Sequence, residues 1–399
     1  MSRSRLAALS PPARLVDWGI LVLVAAEAAT GVLSLGAGAP AHRPLFVAHS
    51  ILGLSLLALV ALKLRRVWPR VRDRSRWDRA TPTSILLAAV AVAALLTGVA
   101  WVLGGDVRVG FWTLMNVHVG LGLLLLPLVL VHLRARFRPP RRADFRGRRT
   151  ALRFTGLLVG SAVLWRLQSV ANALLDTAGA SLRFTGSRPV GALAGRDADT
   201  VGGDFPVTSW VADDPAPVDR GAWRLDVGGL VAESLTLDYG ALVGEGGGAE
   251  AADSSGDAAA ATEDGGRVTL GADLDRAGRR ALLDCTSGWY TIQDWEGVHL
   301  GDLLDAAGVA SDARFVRVRS VTGYRWSFPI GEARGFLLAT HVGGEALSHG
   351  HGAPLRLVAP DRRGFQWVKW VTAIEVRQRV DPGQYVATLV SGFDGDGRG

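Results

Sequence analysis

Cysteine is almost missing: Cys285 is the only one in 399 residues. With no partner thiol there is no intrachain disulfide and no all-thiolate metal cage. Methionine (2) and tyrosine (4) are nearly as scarce, while tryptophan (13) is not. Charged residues are 20% of the chain and are rare across long apolar runs, hydrophobic residues are 49%, and the mean hydropathy is +0.23. The net charge of +7 would suit nucleic acid if the cations lay along one polar surface. They lie instead between the apolar runs, which argues against nucleic acid and for a membrane protein with a positive cytoplasmic side. The length allows two or three domains.

Five apolar stretches fill the first part of the chain, roughly 15–35, 45–64, 83–103, 111–133 and 152–174. Each is about long enough to cross a bilayer as a helix, and helices are the form that satisfies backbone polar groups in lipid at this spacing. The first carries no small-residue cleavage site and reads as an anchor rather than a cleaved signal. Arg3, Arg5 and Arg14 precede it, the second-to-third connection reads KLRRVWPRVRDRSRWDR, and the fourth-to-fifth reads RARFRPPRRADFRGRR. All three basic segments fall on one side, which makes the N-terminus cytoplasmic. The fifth helix then carries the rest of the chain outside the cytoplasm.

Imidazoles stand inside these runs. His49 lies early in the second and His118 early in the fourth, and both runs point inward, so the two share one depth near the outer face. Facing imidazoles at one depth suit axial ligation of a b-type haem; the alternative is a helix–helix hydrogen bond. His132 follows His118 by 14 residues, roughly 21 Å along a helix. That spacing resembles di-haem membrane cytochromes b, the cytochrome subunits of formate dehydrogenases and hydrogenases and the b561-type proteins. The first span has no histidine, so one haem on His49 and His118 is expected, with a second left open at His132. His42 reads as a surface residue. Glu27, mid-span, is a proton carrier for quinone chemistry or the partner of a polar group in the bundle. Pro127 should kink the fourth helix.

Cys285 lies in 282–304, LLDCTSGWYTIQDWEGVHLGDLL. An apolar strand delivers the thiol into a polar turn, with Trp289 and Trp295 following. A small buried hydrophobe is the plain reading of a lone Cys; a single soft ligand to a metal completed from elsewhere is the other. Further on come His351-Gly-Ala-Pro-Leu-Arg356, then Gly364 and Val368-Lys369-Trp370. The two blocks, in this order, resemble the sulfite oxidase family of molybdenum enzymes over roughly 183–380, most nearly the catalytic subunits of periplasmic methionine sulfoxide reductases. The resemblance implies a molybdopterin cofactor, Cys285 as the protein ligand to molybdenum, and His351, Arg356 and Lys369 as holders of the pterin phosphate. An Arg fork and a Lys point charge are the donors a buried phosphate needs. Arg188, Thr208, Ser209 and Trp210 stand where the family's first pterin-contacting segment should lie, but its Asn/His pattern is not evident and no ligand is carried over. Tyr324 faces the metal pocket or is a core tyrosine with a satisfied hydroxyl. His299 and His349 have no assigned role.

The expected architecture is an all-α membrane bundle over 1–180, followed by an α+β, mostly β, molybdopterin-binding domain over 181–399. The acidic, small-residue stretch 244–266 reads as a disordered insert. The expected function is a membrane-bound molybdenum oxidoreductase. It exchanges electrons with the quinone/quinol pool through haem b and acts on a small molecule, with the reductase direction favoured. The rivals are a sulfite-type dehydrogenase, for which Arg317, Arg319 and Arg325 are the candidate anion binders, and a membrane cytochrome with a silent outer domain.

Arg148-Arg149-Thr150-Ala151-Leu152-Arg153 before the fifth run resembles an internal twin-arginine export signal; an ordinary positive-inside anchor is the alternative. On the export reading, Arg148→Lys with Arg149→Lys leaves the C-terminal domain in the cytoplasm, seen as loss of its protease accessibility in spheroplasts. Unchanged accessibility would leave the ordinary anchor.

Overall fold

In a computed structural model of the chain, all five apolar runs are helices: α1 (Ala13–Leu35), α2 (Arg43–Arg72), α3 (Thr81–Val102), α4 (Leu114–Arg136) and α5 (Arg148–Leu174). The structure describes residues 12–105, 107–109, 112–139, 148–190, 205–208, 213, 215–244, 267–268 and 274–390. Most of the acidic insert, Ser209, Trp210, Arg3 and Arg5 lie outside these residues, as do the side chains of Arg148 and Arg149.

The second helix runs past its apolar stretch through KLRRVWPR to Arg72. Lys and Arg are good helix formers, and Arg70 and Arg72 in the last turn meet the negative end of the helix dipole. Arg134 and Arg136 do the same at the end of α4, which continues through Pro127, and Arg136 bonds Asp78 in the loop before α3. Five helices are thus long and apolar enough to cross a membrane. Val22, Leu33, Leu130, Val159, Leu164 and Leu174 all point outward, a surface that suits lipid rather than water. Inside the bundle α1 packs on α2 and α3 on α4. The buried Ser55 Oγ donates to Ser161 Oγ across α2 and α5 at 2.9 Å. A short ribbon, β1 (Arg108–Val109) and β2 (Trp112–Thr113), joins α3 to α4, and the Thr113 side chain caps α4 through the Asn116 N–H at 3.2 Å.

By contacts the chain forms two units, Met1–Ala198 with Asp284–Tyr290, and Asp199–Leu283 with Thr291–Gly399. The first therefore holds the helices, the short strand β3 (Arg188–Pro189) and the turn bearing Cys285. The second is built on strands. They are β4 (Leu225–Gly229), β5 (Ser234–Leu237), β6 (Arg267–Val268), β7 (Arg276–Cys285), β8 (Trp289–His299), β9 (Phe315–Ser320), β10 (Arg325–Pro329), β11 (Leu337–Val342), β12 (Glu345–Ala346), β13 (Arg356–Val358) and β14 (Val371–Arg377). One sheet is ordered β10-β9-β14-β4-β5-β6. The other sets β8 between β7 and β11, with β12 and β13 also on β11. Both mix parallel and antiparallel pairs, so the α+β, mostly β, expectation holds. Period-2 alternation buries Val316, Val318 and Ser320 and turns Arg317 and Arg319 outward. Among the described residues, Trp295, Trp367, Trp370 and Phe328 are the largest fully buried side chains. The acidic insert begins just after the helical turn Tyr239–Val243, which Asp238 caps and Gly244 ends with φ +72°.

Gly297 of β8 lies opposite Ala339 of β11, where a Cβ would sit 1.9 Å from the Leu338 carbonyl oxygen. Gly297→Ala should therefore destabilise the strand domain by about 3 kcal/mol, read as a lower thermal midpoint of that domain. Gly228→Ala, whose Cβ would meet nothing nearer than Ser234 Oγ at 3.5 Å, should leave the midpoint in place.

Candidate metal centres

The thiol is held from both sides of its turn. Asp284, 2% exposed, accepts from Thr185 Oγ1 (2.8 Å) and Ser187 Oγ (2.5 Å) and pairs with Arg183 Nη1 (3.1 Å). A buried carboxylate this fully partnered fixes the backbone that carries it. After the thiol, the Gly288 N–H donates to the Cys285 carbonyl at 3.1 Å. The Ser287 carbonyl accepts from Thr113 Oγ1 at 2.8 Å. Gly288 has φ +91°, and a Cβ there would sit 2.6 Å from Trp101 Cζ2, so the turn requires glycine on both counts. Cys285 is buried, and the Ser287 N–H lies 3.5 Å from its Sγ, a donor of the sort a ligating thiolate accepts. Thr185, Ser187 and Arg183 are partners that sequence reasoning missed. Their signal is the polar run LRFTGSRP, where only Arg188 drew notice.

The expected phosphate donors come together in the second unit. Arg356, 3% exposed, donates from Nη1 to the His351 carbonyl at 2.8 Å and lies among the rings of Phe205, Trp295 and Trp367 at 5.6, 5.4 and 5.9 Å. Lys369 Nζ donates to the carbonyls of Gly350 (2.6 Å) and Thr208 (2.7 Å). The His351 ring stacks on Phe205 at 3.9 Å; its Nε2 donates to the Phe205 carbonyl and its Nδ1 accepts from Ser348 Oγ, both at 2.9 Å. Burial lowers the His351 pKa below its ordinary value. The bond to Phe205 opposes this, and Arg356 and Lys369 add to it. Gly352 has φ +108°, and its Cβ would meet the Lys369 Cβ at 3.0 Å. The His-Gly pair thus lets the loop pass the lysine.

In the bundle, the rings of His49 and His118 lie 6.2 Å apart with planes at 85°. His118 Nδ1 is 2.8 Å from the Ala94 carbonyl, which can only accept, so Nδ1 carries the proton. His49 Nδ1 is 2.8 Å from Thr30 Oγ1 and 3.2 Å from the Glu27 carboxylate; Thr30 itself donates to Ala26 O. In both rings Nδ1 is thereby engaged as a donor and Nε2 keeps its lone pair, the tautomer a metal-binding histidine needs. Glycine makes room for His118, while the position facing His49 would tolerate a Cβ. Cβ atoms at Gly98 and Gly31 would lie 2.9 Å from His118 Cε1 and 3.6 Å from His49 Cε1. His132 faces no second imidazole among the described residues; its Nδ1 meets Ser84 Oγ at 3.2 Å. His42 is exposed, and His349 Nε2 donates to the Pro215 carbonyl at 2.9 Å.

Tyr324 is buried, and its hydroxyl donates to the Phe365 carbonyl at 2.6 Å. Burial raises its pKa and keeps it protonated. Of the three candidate anion-binding arginines, two are committed to carboxylates. Arg317 bonds Asp381 Oδ2 (2.7 Å) and Glu375, and Arg325 Nε bonds Asp381 Oδ2 (2.7 Å). Arg319 is exposed.

Residues 266–385 match the family described as oxidoreductase molybdopterin binding domain. That interval contains Cys285, Tyr324, His351, Arg356 and Lys369, so the candidate residues outside the apolar helices all lie within the matched segment. The chain is 32% identical over 104 residues to the uncharacterized oxidoreductase YuiH of Bacillus subtilis, covering 25% of this chain and 52% of that protein. It is 34% identical over 115 residues to the protein-methionine-sulfoxide reductase catalytic subunit MsrP of Xanthomonas axonopodis, covering 25% and 36%. The chain thus spans about half or less of the curated relatives it matches. The sulfane dehydrogenase SoxCD of Paracoccus pantotrophus aligns over 41% of this chain and 40% of its own at 23% identity, with a TM-score of 0.33.

Burial pushes the Asp381 carboxyl up, but the bonds from Arg325, Arg317 and the Gly383 N–H outweigh it and bring the pKa down to about 2. A depressed folded pKa contributes stability above the unfolded value of about 3.9 that is lost as pH falls toward about 2. Asp381→Asn should therefore lower the unfolding midpoint of the strand domain at pH 7. The gap from wild type should close as the pH is taken from about 4 toward 2, followed by thermal melts across that range.

Proposed function

We propose that the chain is a membrane-bound molybdopterin-dependent oxidoreductase. It performs two-electron oxygen-atom transfer outside the cytoplasm and takes its electrons from the quinol pool through a haem b between α2 and α4. The observation that carries the reading is the pairing in one chain of two features. One is a molybdopterin-class domain with its one buried thiol. The other is a pair of imidazoles, on two apolar helices, whose Nδ1 atoms are both engaged.

The residues fit the groups. The rings of His49 and His118 lie 6.2 Å apart with Nδ1 engaged on each, so their Nε2 atoms would be the ones to hold a haem iron. Cys285 offers a single thiolate, and Arg356 and Lys369 a fork and a point charge for a phosphate, while both nitrogens of the proposed third donor, His351, are engaged by Phe205 and Ser348. When bound, molybdenum supplies two-electron oxygen-atom chemistry and the haem supplies single-electron exchange. The chain's own part is placement. Asp284 and its three partners hold the thiol in position. Glu27, Thr30 and the Ala94 carbonyl fix the imidazole tautomers. The rings around Arg356 exclude water from the phosphate donors.

The net reaction is sulfoxide plus quinol giving sulfide, quinone and water. The reductase direction draws support from the likeness to MsrP, a protein named for methionine sulfoxide reduction, and from Arg317 and Arg325 being neutralised by Asp381 and Glu375 rather than left for a sulfite anion. The domains are placed at 1–180 and 181–399, with the N-terminus cytoplasmic. A sulfite-type dehydrogenase is the second reading.

Metal analysis with a reduced-minus-oxidised haem spectrum tests the proposal: molybdenum and iron are each expected near one per chain. Cys285→Ser should abolish turnover and leave the haem spectrum unchanged. His49→Ala or His118→Ala should remove the haem and leave molybdenum bound. Iron without molybdenum would instead make the outer domain a silent module.

A further inference from the structure

The Cys285 turn packs on Trp101 and Met115, which stand one helical turn from Gly98 and His118, all of it within the helical unit. Gly288 closes the turn onto Cys285 through its N–H at 3.1 Å. At Gly288 a Cβ would find Trp101 Cζ2 at 2.6 Å, Trp101 Cη2 at 2.9 Å and Met115 Cβ at 3.1 Å. Indole, methionine and turn therefore meet at one point. Gly186 packs on the same pair, its Cβ position lying 3.0 Å from Met115 Cε and 3.6 Å from Trp101 Nε1. From that point both helices lead to His118. It follows Met115 by one turn of α4, about 4.5 Å of rise. Gly98, one turn before Trp101 on α3, is the glycine against which the His118 ring rests.

Trp101 is fixed unusually well for a helix-end tryptophan. It is 3% exposed. Its Nε1 donates to the Gly186 carbonyl at 2.7 Å. The Arg188 guanidinium lies over its ring at 4.1 Å and donates to the carbonyls of Trp101 (3.2 Å) and Gly105 (2.7 Å). A ring held this way cannot swing aside, and two glycines are needed for the turn and the 186 segment to reach it. The indole N–H and the cation over the ring fix Trp101 in place, and they leave its face against the Gly288 turn.

We propose that the Gly288–Trp101–Met115 contact is the electron conduit between a molybdenum held by Cys285 and a haem held by His49 and His118, with Trp101 as the positioning residue on which it depends. The proposal rests on the function proposed above. Each turnover sends two electrons across the contact, one at a time. Quinol gives up two electrons and two protons to become quinone, and a sulfoxide takes up two electrons and two protons to become sulfide and water. No other redox partner is required.

The test uses the full chain, with molybdenum and iron measured in every sample. Molybdenum and haem are both reduced with three electron equivalents of dithionite per chain, methionine sulfoxide is added to draw off two of them, and the one-electron reoxidation of the haem that then refills the molybdenum site is followed by stopped flow. In Trp101→Leu the rate should fall roughly tenfold as ring contacts are replaced by a gap, with metal contents and the haem midpoint potential unchanged. Trp101→Phe should restore most of the rate. Alkylation of Cys285 by iodoacetamide in molybdenum-free protein should stay at the wild-type rate in both variants.

Wild-type reoxidation in fully loaded Trp101→Leu overturns the conduit and leaves the proposed function standing. Faster alkylation together with slower reoxidation also overturns it, because Trp101 then only holds the turn. A loaded wild type that never reoxidises removes the sulfoxide reductase reading itself. If Trp101→Leu fails to take up haem, Met115→Ala carries the same comparison with the same expected sign.

Discussion

A buried carboxylate governs the position of the only thiol. Asp284 is almost sealed from solvent, and its two oxygens are taken by Thr185, Ser187 and Arg183. Removing Arg183 would leave a charge in a low-dielectric site, and removing either hydroxyl would cost the carboxylate a hydrogen bond. The end of β7, the turn and β3 are consequences of this arrangement. Arg188 N–H donates to the Gly288 carbonyl at 3.0 Å, and Thr113 and Trp101 close on the turn from the helical side. The 284–290 segment therefore groups with the helices although the strands on either side of it do not.

The same device recurs at the other candidate ligands. His118 is oriented through Nδ1 by the Ala94 carbonyl and His49 through Nδ1 by Thr30 and Glu27, each leaving Nε2 open, whereas His351 is held through both nitrogens by Phe205 and Ser348. Backbone carbonyls and hydroxyls set a tautomer without bringing a net charge, which matters on helices whose surroundings are apolar. Glu27 is the exception. Its Oε2 faces His49 Nδ1, and the Cβ position of Gly53 lies 3.5 Å from the same oxygen. Of the two roles open to it in the sequence, the partner of a polar group in the bundle is the one its contacts favour.

What the sequence made legible follows from the range of each interaction. Five helices were readable because hydropathy is local, and the strand domain because two blocks of spaced residues lie inside it. The extension of α2 to Arg72 was not readable from hydropathy: charged Lys and Arg ended the apolar run but did not end the helix. Cys285 stood out by being alone, and His49 with His118 by matched depth. Their supports did not, because Thr185 meets Asp284 across 99 residues and Trp101 meets Gly186 across 85. No window of sequence holds such pairs. For Arg317, Arg319 and Arg325, alternation could not tell which face the pocket, nor that Asp381, some 60 residues on, would neutralise two of them.

The glycines make the same point from the opposite side. Gly98, Gly186 and Gly288 look unremarkable in a chain with 50 glycines, and each is needed for a different reason. Gly98 admits an imidazole, Gly186 admits a thioether and an indole, and Gly288 admits the indole while holding a left-handed backbone. All three mark places where the chain gives up a side chain so that a ring can come close to the backbone. Gly186 (φ +82°) and Gly288 (φ +91°) hold a backbone that alanine would strain, and a Cβ at any of the three would press on a ring or a thioether, so backbone conformation and close packing together keep the thiol turn and the His118 ring against their neighbours.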